Sequence, residues 1–236
     1  MTTSHFALSI LALLAGCASN GPQRAASAQP TSVQPTSVQP TPRSEPVAAD
    51  AQPSAPLASL TSDALVVLPA QVLRMSVPDW SDKVGDPRAY LSKVDDEIAF
   101  ALRERGLKAK WAFPEDLARS AKRNPGYAVD PYSISVDPLA PVERDPEKHI
   151  AEPLAGQLRA FAGLFNARYA LIPVELKLSP DAAGGRATLH LVLVDTSGAK
   201  LTWKGNVQGD VAKTFSPAVA AGIAGRVADL FIAQAR

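Results

Sequence analysis

Cys and His, which often act as metal ligands, nucleophiles or bases, are scarce in this sequence. It contains one Cys, at position 17, and three His, at positions 5, 149 and 190. A single Cys excludes a disulfide framework and a Cys-rich metal site. His149 and Glu152 have an i, i+3 spacing but no third ligand nearby, so we interpret them as a solvated junction between a loop and a helix. His190 lies among apolar residues, and we interpret it as a hydrogen-bonded strand residue rather than a ligand or a base.

Sequence patterns of the common catalytic and phosphate-binding loops are also missing. The sequence has no G-x-S-x-G nucleophile elbow and no GxxxxGK[ST] loop. The run Asp95-Asp96-Glu97 places consecutive carboxylates on different sides of a helix, so we expect a solvated face there. Lys108 and Lys110 directly precede Trp111 and suit a phosphate or a glycan, but their alternation favours the polar side of a strand. The sequence therefore predicts no enzyme, no metal site and no cofactor.

The charge balance of the chain is close to neutral. There are 24 Lys and Arg against 23 Asp and Glu, which gives a formal net charge of +1. Such a balance produces no long-range field that would attract nucleic acid or an anionic surface. We therefore expect no nucleic-acid partner.

The N-terminus has the pattern of an export signal. The mostly apolar run Phe6–Leu14 is far shorter than the roughly 20 residues that a membrane-spanning helix needs. Small residues follow it and lead directly to Cys17. A short apolar segment that ends in small residues is typical of a secretory signal. We predict a signal peptide over residues 1–16.

The arrangement Leu14-Ala15-Gly16-Cys17 resembles the lipobox of bacterial lipoproteins. In that family the Cys thiol receives a diacylglyceryl group, and cleavage leaves the Cys as the mature N-terminus. The resemblance therefore implies lipidation of Cys17 and a stable anchor in a membrane. Because Ala18 rather than Asp follows the Cys, it favours the outer membrane, with the domain in the periplasm or at the cell surface. The alternative is an ordinary signal peptide with a chance Cys.

Residues 17–62 are predicted to be a lipidated Cys followed by a disordered tether. The repeat Gln-Pro-Thr-Ser-Val occurs at residues 29–33 and 34–38, and a third copy begins at Gln39. This segment holds eight Pro and no aromatic residue, so it cannot bury enough apolar area to offset its ordering entropy. As polyproline II it would reach about 140 Å. We interpret it as a spacer that lifts the domain off the bilayer, or as a tether across the cell-wall layer.

The elements of a folded domain are predicted over residues 63–236. The apolar run Leu65–Leu73 indicates a buried strand, and Asp86-Pro87 is a helix-start signal before a helix that Gly106 ends. Pro173 predicts an edge strand or a bulge. Further strands are predicted at 107–113, 169–178, 188–195 and 200–208, and further helices at 114–124, 154–165 and 216–234.

The last helix contains small residues at regular spacing. Ala218, Gly222 and Gly225 predict close packing on the sheet or, alternatively, a contact between subunits. Arg226 and Asp229 near its middle argue against a membrane span.

The element order predicts a single α/β (α+β) domain, a two-layer sandwich in which a mixed sheet of about five strands packs with about four helices. It resembles the compact α/β domain of the TolB N-terminal region, of the curli-secretion channel lipoprotein and of the outer-membrane activators of penicillin-binding proteins. The chain is also similar to uncharacterised bacterial lipoproteins through Pro125-Gly126, Asp130-Pro131 and Arg168–Pro173. These resemblances imply an envelope protein and bring no established activity.

A long segment between the predicted helices holds the candidate partner-binding residues Tyr127, Asp130, Tyr132, Asp137 and Arg144. Exposed aromatic side chains among charges are typical of recognition surfaces. The alternative is that both Tyr side chains fold back onto the core.

We therefore expect a membrane-anchored envelope lipoprotein that acts as a non-enzymatic accessory, binding or assembly factor. Its expected partners are the membrane, through the lipid anchor, and an envelope protein. A self-associating ring or a subunit of an export complex is one alternative, which makes a homo-oligomer possible. An enzyme acting on the cell wall is the other.

Overall fold

The computed structural model describes residues 55–232. The predicted signal peptide, the lipobox and residues 17–54 of the predicted tether lie outside these residues, so they stay predictions. At the start of the described chain, Leu57 and Leu60 are buried in the core of the domain. The Leu57 N–H also donates to the carbonyl of Leu230 (2.8 Å), so this part of the chain packs against the last helix.

The described chain forms six strands, six α-helices and two short 3-10 helices. The strands are β1 (Leu65–Val67), β2 (Val72–Met75), β3 (Trp111–Ala112), β4 (Tyr169–Asp181), β5 (Gly184–Asp195) and β6 (Lys200–Gln208). The α-helices are α1 (Pro78–Val84), α2 (Pro87–Glu104), α3 (Pro114–Arg123), α4 (Leu139–Arg144), α5 (Leu154–Leu164) and α6 (Ala218–Asp229). The 3-10 helices are Ala58–Ser62 and Pro131–Ser133.

The strands form one mixed sheet in the order β3-β1-β4-β5-β6, with β2 paired to β4 beyond the end of β1. Strands β1 and β2 run parallel to β4, β3 runs parallel to β1, and β4 to β6 are antiparallel. What the sequence predicted as one strand is interrupted over residues 68–71, which include Pro69 and Ala70. The register of β4 and β5 shifts between Pro173 and Glu175, so Pro173 lies at a bulge of an interior strand.

Apolar side chains leave the sheet on both faces and form two core clusters. Along β1, Leu65 and Val67 join one cluster and Val66 the other, because successive strand residues point to opposite faces. Helices α1, α2 and α6 cover the first cluster, and α3, α4 and α5 cover the second. The predicted α/β class with a mixed sheet is confirmed. Instead of the two layers expected, helices cover both faces, and the described chain has more strands and helices than predicted.

The predicted start of α2 is confirmed in detail. The carboxylate of Asp86 accepts from the N–H groups of Arg88 (3.3 Å) and Ala89 (3.0 Å), and Pro87 is the first helical residue. Gly106 follows the helix with a φ of 84°, a left-handed conformation that glycine adopts without strain. Local signals in the sequence therefore decide where this helix begins and ends.

The prediction that Ala218, Gly222 and Gly225 pack on the sheet is wrong. Ala218 is exposed, and a Cβ atom added at either glycine would meet no heavy atom within 4 Å. The helix instead buries its larger residues, among them Val219, Ile223 and Val227. A subunit contact through the small residues stays a prediction. Among residues 55–232, no helix has the length and apolar character needed to cross a bilayer.

Candidate binding site

The most unusual polar group of the described chain is Asp95 of α2, whose surface is only 5% exposed. Its Oδ1 accepts from the N–H of Ala70 (2.8 Å), at the interruption between β1 and β2. Its Oδ2 is buried and has no hydrogen-bond partner among the described residues. Burial raises the pKa of this carboxyl to about 7, against a smaller lowering by the Ala70 N–H.

A cavity of about 310 Å³ lies beside Asp95. Arg88 and Tyr132 form one of its walls: the Nη2 of Arg88 donates to the Tyr132 carbonyl, and its guanidinium carbon is 6.0 Å from the centre of the Tyr132 ring. Burial raises the pKa of the Tyr132 hydroxyl, and several nearby carboxylates raise it further. The cavity is lined by Ala70, Asp86, Arg88, Ala89, Leu91, Ser92, Asp95 and Tyr132.

A second cavity of about 400 Å³ shares Arg88 and Tyr132 with the first. It lies between the start of β2, at Gln71 and Val72, and the chain from Tyr132 to Asp137. Within the lining of this second cavity, the Ser135 hydroxyl donates to the nearby carboxylate of Asp137 (2.8 Å). Together, the two cavities flank the Arg88–Tyr132 pair.

The topology of the sheet explains why space is left here. The chain passes from β1 to β3 through α2 on one face, and from β3 to β4 through α3, α4 and α5 on the other. In open α/β sheets such a change of direction leaves a crevice at the carboxyl ends of the strands, and ligands bind in it. The Asp95 cavity lies at this end of β1, because it includes Ala70.

A third cavity, of about 390 Å³, lies beside the residues that precede Tyr132 in the chain. Its lining includes Pro125, Ala128, Val129 and Asp130. Val129 is 42% exposed, and the neighbouring Tyr127 is 59% exposed. The Tyr127 hydroxyl lies 2.8 Å from the position that a Cβ at Gly163 would occupy, so this ring lies over α5.

Four of the five predicted loop residues lie within residues 125–137, which we call the 125–137 segment. Tyr127 and Asp130 lie near the third cavity, Tyr132 between the first two, and Asp137 in the second. Asp130 also caps the 3-10 helix by accepting from the Tyr132 N–H (3.1 Å). Arg144 lies at the end of α4, where its Nε donates to Ala140 (3.1 Å), and it lines none of these cavities.

The two histidines of the described chain are engaged in local hydrogen bonds. The Nδ1 of His190 lies 2.9 Å from the Oδ1 of Asn206, and its Nε2 lies 3.0 Å from the Oε2 of Glu143. This agrees with its interpretation as a hydrogen-bonded strand residue. The Nδ1 of His149 lies 2.8 Å from the Gly198 carbonyl. Within residues 55–232, no three His, Cys, Asp or Glu side chains are grouped as metal ligands would be.

Lys108, Lys110 and Trp111 border a cavity of about 810 Å³. The Lys110 ammonium donates to the Ser62 carbonyl (2.8 Å), and Lys108 lies on the same rim. Trp111 itself is buried and packs edge-on against Phe231, with ring centres 4.8 Å apart. Lys108 and Lys110 are exposed, but the predicted alternation is wrong: Ala109 is exposed as well, Ala112 is buried, and the strand is only two residues long.

The expectation that Asp95-Asp96-Glu97 forms a solvated face is wrong for Asp95. Asp96 is exposed, but Asp95 lies on the buried side of α2. A signal for this was available, because Asp95 is four residues after Leu91 and three before Ile98, which places it within the apolar stripe of the helix.

The fold and its cavities define an α/β domain with space for ligands at a strand end, and the comparisons with known proteins add little to this. The fold resembles that of a PelC dodecamer subunit from Paraburkholderia phytofirmans, with 13% identity, a TM-score of 0.36, and coverage of 74% of this chain and 91% of that chain. It also resembles the LpoB C-terminal domain from Escherichia coli (12% identity, TM-score 0.31, 63% and 82% covered). A third similar structure is the lipoprotein GNA1162 from Neisseria meningitidis (15% identity, TM-score 0.32, 65% and 85% covered).

At these identities and TM-scores, the likeness carries no argument about function. No protein-family model matches the chain, and no curated protein matches its sequence.

Proposed function

We propose that this chain is a lipid-anchored protein of the bacterial cell envelope that acts as a non-enzymatic accessory factor. In this proposal Cys17 carries the anchor, residues 18–54 form the tether, and the α/β domain binds another envelope protein through the 125–137 segment. The lipobox pattern supports the anchor, and the surface of the domain supports the binding role.

The observation that carries the binding role is the exposure of Tyr127 and Val129 next to an apolar cavity. Three large apolar side chains are markedly exposed in the described chain, and Tyr127 and Val129 are two of them. They are two residues apart in the sequence. Tyr is enriched among the residues that dominate protein–protein binding energy, because it buries a large rigid surface and keeps a hydroxyl for hydrogen bonding. A cavity beside it offers a place for a partner side chain.

Site-specific photo-crosslinking in living cells tests this role. The full-length chain carries a benzophenone amino acid at position 127 or 129, and the crosslinked products are identified by mass spectrometry. The matched control carries it at Phe100, which is 61% exposed but lies on α2, on the opposite face of the sheet. We expect one foreign envelope protein at positions 127 and 129 and none at position 100.

Two other outcomes would contradict the proposal. Crosslinks only between copies of this chain would favour the self-associating alternative. A partner captured equally from position 100 would show that the 125–137 segment is not the contact surface. The anchor is tested separately by a Cys17→Ala variant, which should leave the membrane fraction. If it still fractionates with membranes, lipidation of Cys17 is not the anchor.

A further inference from the structure

The cavity beside Asp95 has a chemical requirement that the described chain leaves unmet. A buried carboxylate oxygen needs a hydrogen-bond donor, and leaving such an atom unpaired is unfavourable. The Oδ1 of Asp95 has its donor in the Ala70 N–H, but the Oδ2 has none. We propose that this cavity binds the terminal ammonium or guanidinium group of a ligand, with Asp95 as its acceptor.

The charges around the cavity favour a cation. Among the lining residues, Asp86 and Asp95 carry carboxylates and Arg88 alone is basic. The guanidinium of Arg88 is already engaged with the carbonyl of Tyr132 and lies over its ring. The negative field at this wall also includes carboxylates near Tyr132, which raise the pKa of its hydroxyl: Asp96, Asp130 and Glu115.

The size and position of the cavity suit the end of one extended side chain or one small amine. Its volume of about 310 Å³ is at the lower end of the range for small-molecule pockets. Arg88 and Ala89 are exposed, so a ligand can enter past the first turn of α2. A planar guanidinium or an ammonium supplies several N–H donors, and Asp95, whose Oδ2 has no other partner among the described residues, is part of the cavity wall.

This cavity is separate from the exposed side chains of Tyr127 and Val129, although Tyr132 of the 125–137 segment forms one of its walls. Most of its lining comes from α2, whereas Tyr127 lies over α5. A variant at position 127 should therefore leave cation binding unchanged, and loss of the partner crosslink would not count against the Asp95 site.

Thermal unfolding of the full-length protein in detergent at pH 8 tests the site. The probes are n-butylammonium and agmatine, which carries both an ammonium and a guanidinium group. Tetramethylammonium, a cation without N–H donors, is the control for charge alone. Saturation of the site should raise Tm by about 2–4 °C for the two donors, at matched ionic strength, and not for tetramethylammonium.

Three variants assign the effect to the cavity. Asp95→Asn should lose the Tm shift, because the amide has no charge and presents an N–H or a weaker acceptor to the ligand. Ser92→Leu leaves the Asp95 carboxyl intact but fills the cavity, so it should also lose the Tm shift. It provides an independent test in case Asp95→Asn fails to fold. Glu104→Gln removes an exposed carboxylate of the same helix and should keep it.

The proposal is overturned if wild type shows no shift with either donor, if tetramethylammonium gives the same shift, or if Ser92→Leu keeps it. A photo-crosslinker at position 89, on the rim of the cavity, then distinguishes two sources of the cation. Capture of a partner peptide at a Lys or Arg, reduced by free n-butylammonium, identifies a protein side chain. Stabilisation by the free amine without any capture identifies a small organic cation.

Discussion

Replacement of Asp95 by Asn should flatten the dependence of stability on pH. In the wild type, burial raises the pKa of Asp95 from an ordinary value of 3.8 to about 7. The folded protein therefore holds this proton more tightly than the unfolded chain does. The resulting stabilisation is fully present below the unfolded pKa and is lost as the pH rises through about 7.

The magnitude follows from the width of that window. Each pH unit between the two pKa values changes the free energy of unfolding by about 1.4 kcal/mol. Between pH 5 and pH 8, this one group should therefore reduce the stability of the wild type by about 2–3 kcal/mol. In Asp95→Asn the amide oxygen still accepts the Ala70 N–H, but there is no proton to lose. The difference in stability between the two proteins should change by this amount in favour of the variant.

Urea unfolding followed by tryptophan fluorescence measures this difference, because Trp80 and Trp111 are buried in the core. Wild type, Asp95→Asn and the control Glu104→Gln are compared at each half unit from pH 5 to pH 8. We expect the control to follow the wild type. Parallel profiles for wild type and Asp95→Asn would refute the reasoning, since they would mean that the Asp95 carboxyl is hydrated in the folded protein.

Four further substitutions test the packing and the surface. Asp86→Ala removes the cap of α2 and should cost about 1 kcal/mol in urea unfolding, whereas a loss below the error of the method would contradict the capping role. Gly222→Ala fills open space on α6 and should stabilise by about 0.5–1 kcal/mol, so a destabilised variant would mean that this face is in contact. Gly184→Ala would place a Cβ 2.2 Å from the Ala212 carbonyl oxygen at a φ of 149°, and we expect a loss of more than about 2 kcal/mol; near-neutral stability would contradict this geometry. Tyr127→Ala should leave the urea midpoint unchanged and abolish partner capture from position 129, and retained capture would contradict the role of the ring.

The local elements of this fold can be predicted because their signals lie next to each other in the chain. Asp86, Pro87 and Gly106 mark the ends of α2 through hydrogen bonds and backbone angles that depend only on neighbours. The apolar spacing of α5 likewise reflects which face of that helix is buried. For the same reason the α/β class was predictable from element order, although the number of covered faces was not.

The 125–137 segment shows where sequence patterns become insufficient. Its apolar residues have no helical or strand period, because they fill gaps over the second core cluster: Ile134 and Val136 are buried there. Whether Tyr127 and Tyr132 would lie outward or inward depended on the helices beneath them. Tyr127 lies exposed over α5, and Tyr132 is half-buried against Arg88 of α2.

By itself, the sequence of this protein determined α2 with its cap, the approximate positions of most of the longer helices and strands, and the α/β class, because these depend on short-range patterns. The lipid anchor is a prediction of the same kind. Only the tertiary structure decided that Asp95 is buried with an unpaired oxygen beside a cavity. That outcome requires the interruption of the strand at Ala70, 25 residues earlier, and the approach of Tyr132 from a later segment. The free energy of a buried carboxyl is set by groups that only the folded chain brings together.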